Sequence, residues 1–390
     1  MTHNTTDSPE SSDSPTIGIV AALPALSLAI VLAAGLASTL YAVGAGRLEL
    51  LSEPVTRTAA FLDGQTMRSI ADALARAPQP RVAADAARAA NWLLLRDLGP
   101  QVRQGCPDWL FLADELTPHE GAADHMAQRA AMVAQVHRAL GRDGIRLLVT
   151  VVPDKSRVAH AHLCNLQRSA ALQGRVDAWA TLLQDAGVPM LDLTPALSAM
   201  QARGEDAFFR TDTHWTEDGA QRAAEAVAVA VRAPSWSPEP VQEYDAVRET
   251  PAMRPGDLVR LAGIDKLPTH WQPAPETARA ARFTPRSATE EDDLFGDAQL
   301  PRTVLMGTSF SRTSGFAGFL AQALHTPVAN FGRDGGNFSG GAAAYFQDQA
   351  WQQTPPRLVI WEIPERTLQR PITAAERADW RALPGGSPGN

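Results

Sequence analysis

The stretch Arg146-Leu147-Leu148-Val149-Thr150-Val151-Val152 is a continuous apolar run of strand length. Uninterrupted rather than alternating hydrophobicity is typical of a strand that is buried on both faces. Similar strands are predicted at 188–193, 303–306, 328–331 and 358–363, and segments of helical length lie between them. Strands that alternate with helices predict an α/β fold, with a mainly parallel sheet that carries helices on both faces.

The predicted helices end at glycines or at the next turn signal. They cover about 126–140, 166–185, 217–231, 311–324 and 342–351, with a short one beginning near Thr194. Thr216 is the expected N-cap of the third, whose first turn carries two acids that suit the positive end of the helix dipole. Residues 234–300 break this rhythm with many prolines and charges, which predicts an insertion or lid.

The N-terminal region contains an uncharged, apolar segment over residues 16–46. About 20 such residues suffice to cross the hydrocarbon core of a membrane. A cleaved signal peptide would carry a basic leading region, and residues 1–15 contain neither lysine nor arginine. We therefore expect a disordered tail over 1–15, a transmembrane anchor over 16–46, and a membrane-proximal helical segment over 47–95. The main domain is expected over 96–380, followed by a loose tail over 381–390.

The composition excludes some classes of partner. The net charge of −8 and the pI near 5.6 argue against nucleic acid, because neutralising phosphates needs a basic surface. Cys106 and Cys164 lack the spacing of a metal site, and the sequence leaves open whether they pair or remain free thiols. His119 and His125 are six positions apart rather than four, so no metal site is predicted there. No cofactor is predicted.

A possible acid–base pair lies in the segment Phe208-Phe209-Arg210-Thr211-Asp212-Thr213-His214-Trp215. In an extended segment, residues two apart point to the same face. Asp212 would then accept the proton on Nδ1 of His214 and leave Nε2 free to act as a base. The alternative is a polar loop with an ordinary helix cap, since Asp-x-His by itself is common.

A candidate nucleophile follows the predicted strand at 303–306, in Gly307-Thr308-Ser309. Ser309 would lie at the carboxyl end of a parallel strand and at a helix N-terminus, where free N–H groups favour a developing oxyanion. A hydroxyl needs a neighbouring base to react at neutral pH, and His214 is the candidate. An N-cap role for Ser309 is the alternative, and Ser311 is the less favoured nucleophile.

Other polar residues follow neighbouring strands. Small residues in the loop 332–341 would let backbone N–H groups approach a substrate. The candidates for oxyanion or substrate binding in this loop are Arg333, Gly335, Gly336 and Asn337. The alternative is a plain turn. Lys155 is expected to be structural or paired with a carboxylate, and the acids of Glu362-Ile363-Pro364-Glu365 are expected to form an ion pair or a loop bond with Arg366.

These segments resemble the alginate O-acetyltransferase family of AlgJ/AlgX type, whose catalytic domain is similar to the SGNH hydrolases. The matching segments are Asp108–Phe111, Val152–Arg157, Val188–Leu193, Phe208–Gly219, Gly307–Ser311 and Leu358–Arg366. The resemblance implies an SGNH hydrolase-like fold and a catalytic triad of Ser309, His214 and Asp212. Ordinary SGNH hydrolases place the serine motif first, whereas the order here is reversed.

The resemblance also implies a cellular setting. It predicts an inner-membrane protein with a single N-terminal span, a catalytic domain in the periplasm, and transfer of acetyl through an acetyl-serine to an exopolysaccharide such as alginate. The implied partners are the polysaccharide acceptor, a membrane-bound O-acyltransferase that supplies acetyl, and other exopolysaccharide secretion proteins. AlgX-type members carry a further carbohydrate-binding module, so the chain looks more like the AlgJ branch. The alternatives are a carbohydrate acetylesterase and a non-catalytic subunit of a polysaccharide-secretion complex.

Overall fold

The computed structural model describes residues 16–50, 61–75, 78–232, 236–286 and 300–385. The tail expected over 1–15, residues 386–390 of the expected C-terminal tail, and part of the expected insertion lie outside these residues. The chain divides into two compact units, Met1–Ala90 and Asn91–Asn390.

The described part of the first unit is mainly helical. Its helices are α1 (Thr16–Gly44), α2 (Gln65–Ala75) and α3 (Pro78–Ala90). Within α1, the 21 residues Pro24–Gly44 have a mean hydropathy of 2.0 and are long and apolar enough to cross a membrane. Their side chains are almost all exposed, in contrast to those of a core helix. The structure therefore has one N-terminal apolar helix of the expected kind.

The second unit alternates strands and helices. Its strands are β1 (Val102–Gln104), β2 (Leu110–Leu112), β3 (Arg146–Val152), β4 (Met190–Asp192), β5 (Tyr244–Arg248), β6 (Ala252–Arg254), β7 (Glu276–Ala278), β8 (Ala281–Pro285), β9 (Thr303–Gly307), β10 (Val328–Gly332) and β11 (Leu358–Pro364). Its helices are α4 (Ala122–Arg142), α5 (Lys155–Val158), α6 (Arg175–Asp185), α7 (Thr194–Ala202), α8 (Glu217–Arg232), α9 (Asp257–Leu261), α10 (Phe316–Leu324), α11 (Gly340–Gln347), α12 (Gln349–Gln353) and α13 (Ala374–Arg381).

Five strands form one sheet in the order β10-β9-β11-β3-β4, and every pair in it is parallel. Alternate side chains of β3 enter two different cores. Leu147, Val149 and Val151 pack with α4, α6 and α11, whereas Leu148 and Val152 pack with α7, α8 and α10. The continuous apolar run therefore has the predicted cause, because both of its faces are covered. The predicted fold class is confirmed.

Three of the predicted helices differ most from the sequence-based prediction. The helix expected from 311 begins at Phe316, because residues 309–311 form a separate 3₁₀ turn and Gly315 takes a left-handed φ of 73°. The helix expected from 166 begins at Arg175, after a 3₁₀ turn at Ala170–Leu172. The helix expected over 342–351 is two helices, since Asp348 takes an extended conformation and caps α12.

The described part of the expected insertion is structured. It contains two antiparallel strand pairs, β5 with β8 and β6 with β7, and the short helix α9. Glu276 of β7 accepts the backbone N–H groups of Arg210 and Thr211, both at 2.6 Å. The segment therefore packs on the loop that carries Asp212 and His214, which the sequence pattern did not indicate.

Cys106 and Cys164 form a disulfide. It joins the turn before β2 to the loop after α5, 58 positions along the chain. The structure thus selects one of the two alternatives that the sequence left open.

Candidate active site

The structure brings Ser309, His214 and Asp212 into one hydrogen-bonded line. Ser309 Oγ lies 2.7 Å from His214 Nε2, and His214 Nδ1 lies 2.7 Å from Asp212 Oδ1. The serine and the histidine are 95 positions apart in the chain. Because a carboxylate can only accept, Nδ1 carries the proton and Nε2 faces the hydroxyl as an acceptor. A serine that acts as a nucleophile requires this arrangement of base and orienting acid.

The acid and the histidine meet through a turn rather than through an extended strand. Asp212 Oδ1 accepts the backbone N–H of His214 at 2.9 Å as well as its ring N–H. This side-chain-to-backbone bond two residues on is the pattern of an Asx turn. Phe208 pairs with Trp215 across the base of the loop, and both are buried. The extended geometry expected from the sequence is therefore wrong, although the two residues do meet.

The second carboxylate oxygen of Asp212 is held by the insertion. Oδ2 accepts Nη2 of Arg254 and the backbone N–H of Asp257, each at 3.2 Å. Burial alone would raise the pKa of Asp212, but the bonds from His214 and the charge of Arg254 outweigh it and hold the pKa below its ordinary value. Asp212 is therefore ionised at neutral pH and orients the imidazole.

A second carboxylate faces the same imidazole. Asp257 Oδ2 lies 3.6 Å from His214 Nδ1, while its Oδ1 accepts the N–H of Thr213 at 2.6 Å. Burial and the nearby charge of Asp212 raise the pKa of Asp257. Neither Arg254 nor Asp257 was identified from sequence, since both belong to a segment without a recognisable motif.

The cluster of Asp212, His214 and Asp257 offers one ligand-type atom each within 4.8 Å. The proton on His214 Nδ1 already points at Asp212, and Arg254 supplies a positive charge to the other oxygen of that carboxylate. A metal ion would have to displace both. The donor set therefore fits an acid–base pair better than a cation.

Lys155 stabilises the loop that carries Asp212 and His214. Its Nζ donates to the backbone oxygens of Leu110, Arg210 and Asp212 at 2.6, 2.7 and 3.1 Å. Burial lowers the pKa of Lys155 to about 8, although surrounding carboxylates oppose the shift. Its hydrogen-bond partners are backbone carbonyl oxygens, so the structure shows the first of the two expected roles, structural rather than paired with a carboxylate. The lysine is structural and ties β2 to the Asp212 loop.

The turn that carries Ser309 is built on a buried acid of β11. Glu362 accepts the N–H of Thr308 at 2.6 Å and the hydroxyl of Ser311 at 2.9 Å. Burial raises the pKa of Glu362, and these bonds partly offset that effect. A Cβ on Gly307 would lie 2.4 Å from Glu362 Oε2, so only glycine fits there.

The contacts of Glu362 and His214 distinguish the two candidate nucleophiles, Ser309 and Ser311. Ser311 is fully buried and its hydroxyl is engaged by Glu362, whereas Ser309 is partly exposed and faces His214. The backbone N–H of Ser309 donates to no acceptor within the described ranges. It is therefore available to an oxyanion that forms at the serine.

The glycine-rich loop after β10 lies along a cleft that does not include the candidate catalytic residues. The four predicted residues Arg333, Gly335, Gly336 and Asn337 line a cleft of about 520 Å³ that none of Ser309, His214 and Asp212 lines. The amide of Asn337 donates to the backbone of its own loop, and its oxygen accepts from Arg370. In the part of the chain that the structure describes, no hydrogen bond joins the four to the Ser309–His214–Asp212 line. No such contact therefore supports the predicted oxyanion or substrate-binding role of these four residues.

The family of the chain follows from residues 102–365, which match the model described as SGNH hydrolase-like domain, acetyltransferase AlgX. This range covers more than half of the chain and includes the whole hydrogen-bonded line. The chain belongs to this family.

Individual relatives agree with that membership. The chain is 33% identical to the probable alginate O-acetylase AlgJ of Azotobacter vinelandii, over 75% of this chain and 76% of the relative. It is 30% identical to the alginate biosynthesis protein AlgX of Pseudomonas putida, over 65% of this chain and 54% of that protein. The solved O-acetyltransferase domain of Pseudomonas putida AlgJ matches with a TM-score of 0.62 and 28% identity, over 73% of this chain and 99% of that domain. The SGNH hydrolase-like fold of this family member is thus shown by both sequence and structure.

Proposed function

We propose that this chain is an O-acetyltransferase that moves an acetyl group through an acetyl ester of Ser309 onto a hydroxyl of an exopolysaccharide such as alginate. The observation that carries the proposal is the line from Ser309 Oγ through His214 to Asp212, with both contacts at 2.7 Å. Membership of the AlgX-type acetyltransferase family and the names of the AlgJ relatives supply the reaction class and the polymer.

The first step forms the acetyl-enzyme. Ser309 Oγ attacks the carbonyl carbon of an acetyl donor while its proton passes to His214 Nε2. The carbonyl electron pair moves to oxygen, and the free N–H of Ser309 is placed to donate to it. As the carbonyl re-forms, the bond to the donor breaks and the leaving group takes the proton from His214. Asp212 remains ionised and stabilises the imidazolium.

The second step repeats these proton movements with a sugar as nucleophile. A hydroxyl of the polysaccharide gives its proton to His214 Nε2 and attacks the acetyl ester of Ser309. The tetrahedral intermediate collapses, the acetyl group stays on the sugar, and the proton returns to Ser309 Oγ. Transfer requires that the sugar hydroxyl replace water at the histidine.

The cellular setting is part of the same proposal. The apolar segment of α1 would anchor the chain in the inner membrane, with residues 96–380 as the catalytic domain in the periplasm. The disulfide of Cys106 and Cys164 suits that compartment, because such bonds persist in oxidising environments. A membrane-bound O-acyltransferase would supply acetyl, and other exopolysaccharide secretion proteins would handle the polymer.

The test is incubation of the full chain in detergent with a small acetyl ester and alginate oligosaccharides. We expect mass spectrometry to find acetylated sugar, and acetyl on Ser309 after a short incubation. Ser309→Ala should reduce the rate by a factor of about 10⁴ or more. Ser169→Ala, which only removes the cap of the turn at 170–172, is the control.

The outcomes separate the alternatives. Release of acetate without acetylated sugar would indicate an esterase. If cells that carry Ser309→Ala still acetylate their polymer fully, the chain acts as a non-catalytic subunit and the proposal is wrong.

A further inference from the structure

Arg366 lies at the same edge of the sheet as Ser309. It follows the end of β11, in the 3₁₀ turn Glu365–Leu368, and β11 is the direct neighbour of the strand that carries the serine. Its guanidinium carbon is 5.5 Å from the ring centre of Phe310, the residue after Ser309. The ring of His214 packs on the same phenylalanine, 5.0 Å between centres. Arg366 and His214 thus pack on the same side chain, that of Phe310, which directly follows Ser309.

The acids expected to bond to Arg366 have other partners. Glu362 bonds to Thr308 and Ser311, and Glu365 bonds to Arg157 and Arg168 at 2.7 and 2.5 Å. The expected bonds between these acids and Arg366 are therefore wrong.

The guanidinium of Arg366 is left with open hydrogen-bonding capacity. Within the described residues it has no hydrogen-bond acceptor and no carboxylate oxygen within 4.0 Å. By contrast, the buried guanidiniums of Arg129, Arg168 and Arg175 all bond to carboxylates. Arg366 is only partly buried, so its N–H groups reach solvent beside the site.

A purely electrostatic role would not use these donors. The charge of Arg366 offsets the buried carboxylates of Glu115 and Glu362, whose pKa values burial raises. A lysine would offset them equally well. The planar fork of arginine adds the ability to bind a carboxylate through two parallel bonds.

We propose that Arg366 binds the carboxylate of a uronic acid unit in an acidic polysaccharide and so positions a sugar hydroxyl at Ser309. This inference rests on the proposed acetyl transfer and assigns the residue that recognises its acidic acceptor. A carboxylate held by two bonds fixes the sugar ring in orientation, which favours its hydroxyl over water at His214. Arg366 is therefore a specificity-determining residue for the acceptor.

The test is a binding measurement that does not depend on turnover. In the full chain with Ser309→Ala, calorimetry compares an alginate oligosaccharide with the same oligosaccharide after reduction of its carboxyl groups to alcohols. We expect the acidic ligand to bind more tightly. Adding Arg366→Gln should raise its Kd about tenfold and change the Kd of the reduced ligand by less than about twofold.

The control is Arg203→Gln, which removes the same charge from an exposed arginine that pairs with Glu205. Its Kd for the acidic ligand should remain within about twofold of the parent. Arg366→Lys should give an intermediate Kd, because it keeps the charge and loses the fork. It also provides a second variant if Arg366→Gln does not fold.

Two results would overturn the inference: equal affinity of the parent for the two ligands, or equal weakening of both by Arg366→Gln. If the acidic ligand binds through Arg366 but no acetylated sugar forms in the wild-type chain, the acceptor site stands and the proposed transfer fails. The two proposals are therefore tested separately.

Discussion

The backbone N–H of Thr308 donates to Oε2 of Glu362 at 2.6 Å, although the two residues are 54 positions apart. The hydroxyls of Thr308 and Ser311 donate to the same carboxylate. Glu362 is fully buried, so these bonds are not exchanged with water. The central strand β11 thereby holds the turn that carries Ser309.

Glu362→Gln should impair both stability and turnover. The amide nitrogen would replace an acceptor with a donor, facing groups that themselves donate. We expect the free energy of unfolding to fall by about 1–3 kcal/mol, and hydrolysis of a small acetyl ester to slow about tenfold or more as the serine turn shifts. Urea unfolding and an esterase assay measure the two effects.

The comparison variant for this change is Glu249→Gln. Glu249 is exposed and pairs with Arg282 at the surface, so both quantities should stay near their wild-type values. Unchanged turnover in Glu362→Gln would show that the buried carboxylate does not position Ser309.

Asp212→Asn should remove orientation of the histidine. An amide can present N–H to Nδ1 and favour the wrong tautomer, so we expect kcat to fall by about 10⁴. A bond between the amide oxygen and Nδ1 that preserves the tautomer would instead leave kcat high. Measuring kcat by steady-state kinetics at neutral pH distinguishes these two outcomes.

The same variant has a pH signature in stability. The folded-state pKa of Asp212 lies below its unfolded value, so its ionisation stabilises the fold above the unfolded pKa of about 3.9. That contribution is lost as the pH falls from there through the folded pKa. The difference in unfolding free energy between wild type and Asp212→Asn should therefore be larger at pH 7 than at pH 3. A constant difference would mean that Asp212 has an ordinary pKa.

Arg254→Met tests whether the insertion takes part in the site. Arg254 donates to Asp212 Oδ2 at 3.2 Å, and its side chain is 26% exposed. Its loss should slow ester hydrolysis about tenfold, because a charge-assisted bond to the orienting carboxylate disappears. Arg248 is the matched control, since it lies in the same insertion, is also 26% exposed, and pairs with the exposed Asp218. Equal rates in Arg254→Met and Arg248→Met would assign the insertion no part in orienting Asp212.

Replacing both Cys106 and Cys164 by alanine should cost about 2–4 kcal/mol of unfolding free energy, because the closed loop restricts the unfolded chain. Urea unfolding with and without a reducing agent measures this cost. Reductant should destabilise the wild type and leave the double variant unchanged. If the wild type unfolds identically in both conditions, the bond does not form in solution.

Much of the fold was predictable, because local patterns carry it. The apolar run of β3 and the shorter runs after it indicate strands covered on both faces, and the parallel sheet follows. Helix starts were less predictable where tertiary contacts compete with propensity. Arg168 lies in a loop before α6 because its guanidinium bonds to the buried Asp154 and Glu365, which are close only in the folded chain.

Sequence patterns were sufficient to predict the α/β class, the apolar N-terminal helix and the candidate residues Ser309, His214 and Asp212. These depend on periodicity and on short motifs, which are local properties of the chain. Their supporting groups are visible only in the folded chain, where Glu362 bonds to the turn of Ser309, and Arg254 and Asp257 bond to Asp212. The folded chain also shows that the glycine-rich loop lies along a separate cleft. These partners come from distant segments with no motif of their own, so only burial in a shared core and hydrogen bonding across the sheet edge bring them together.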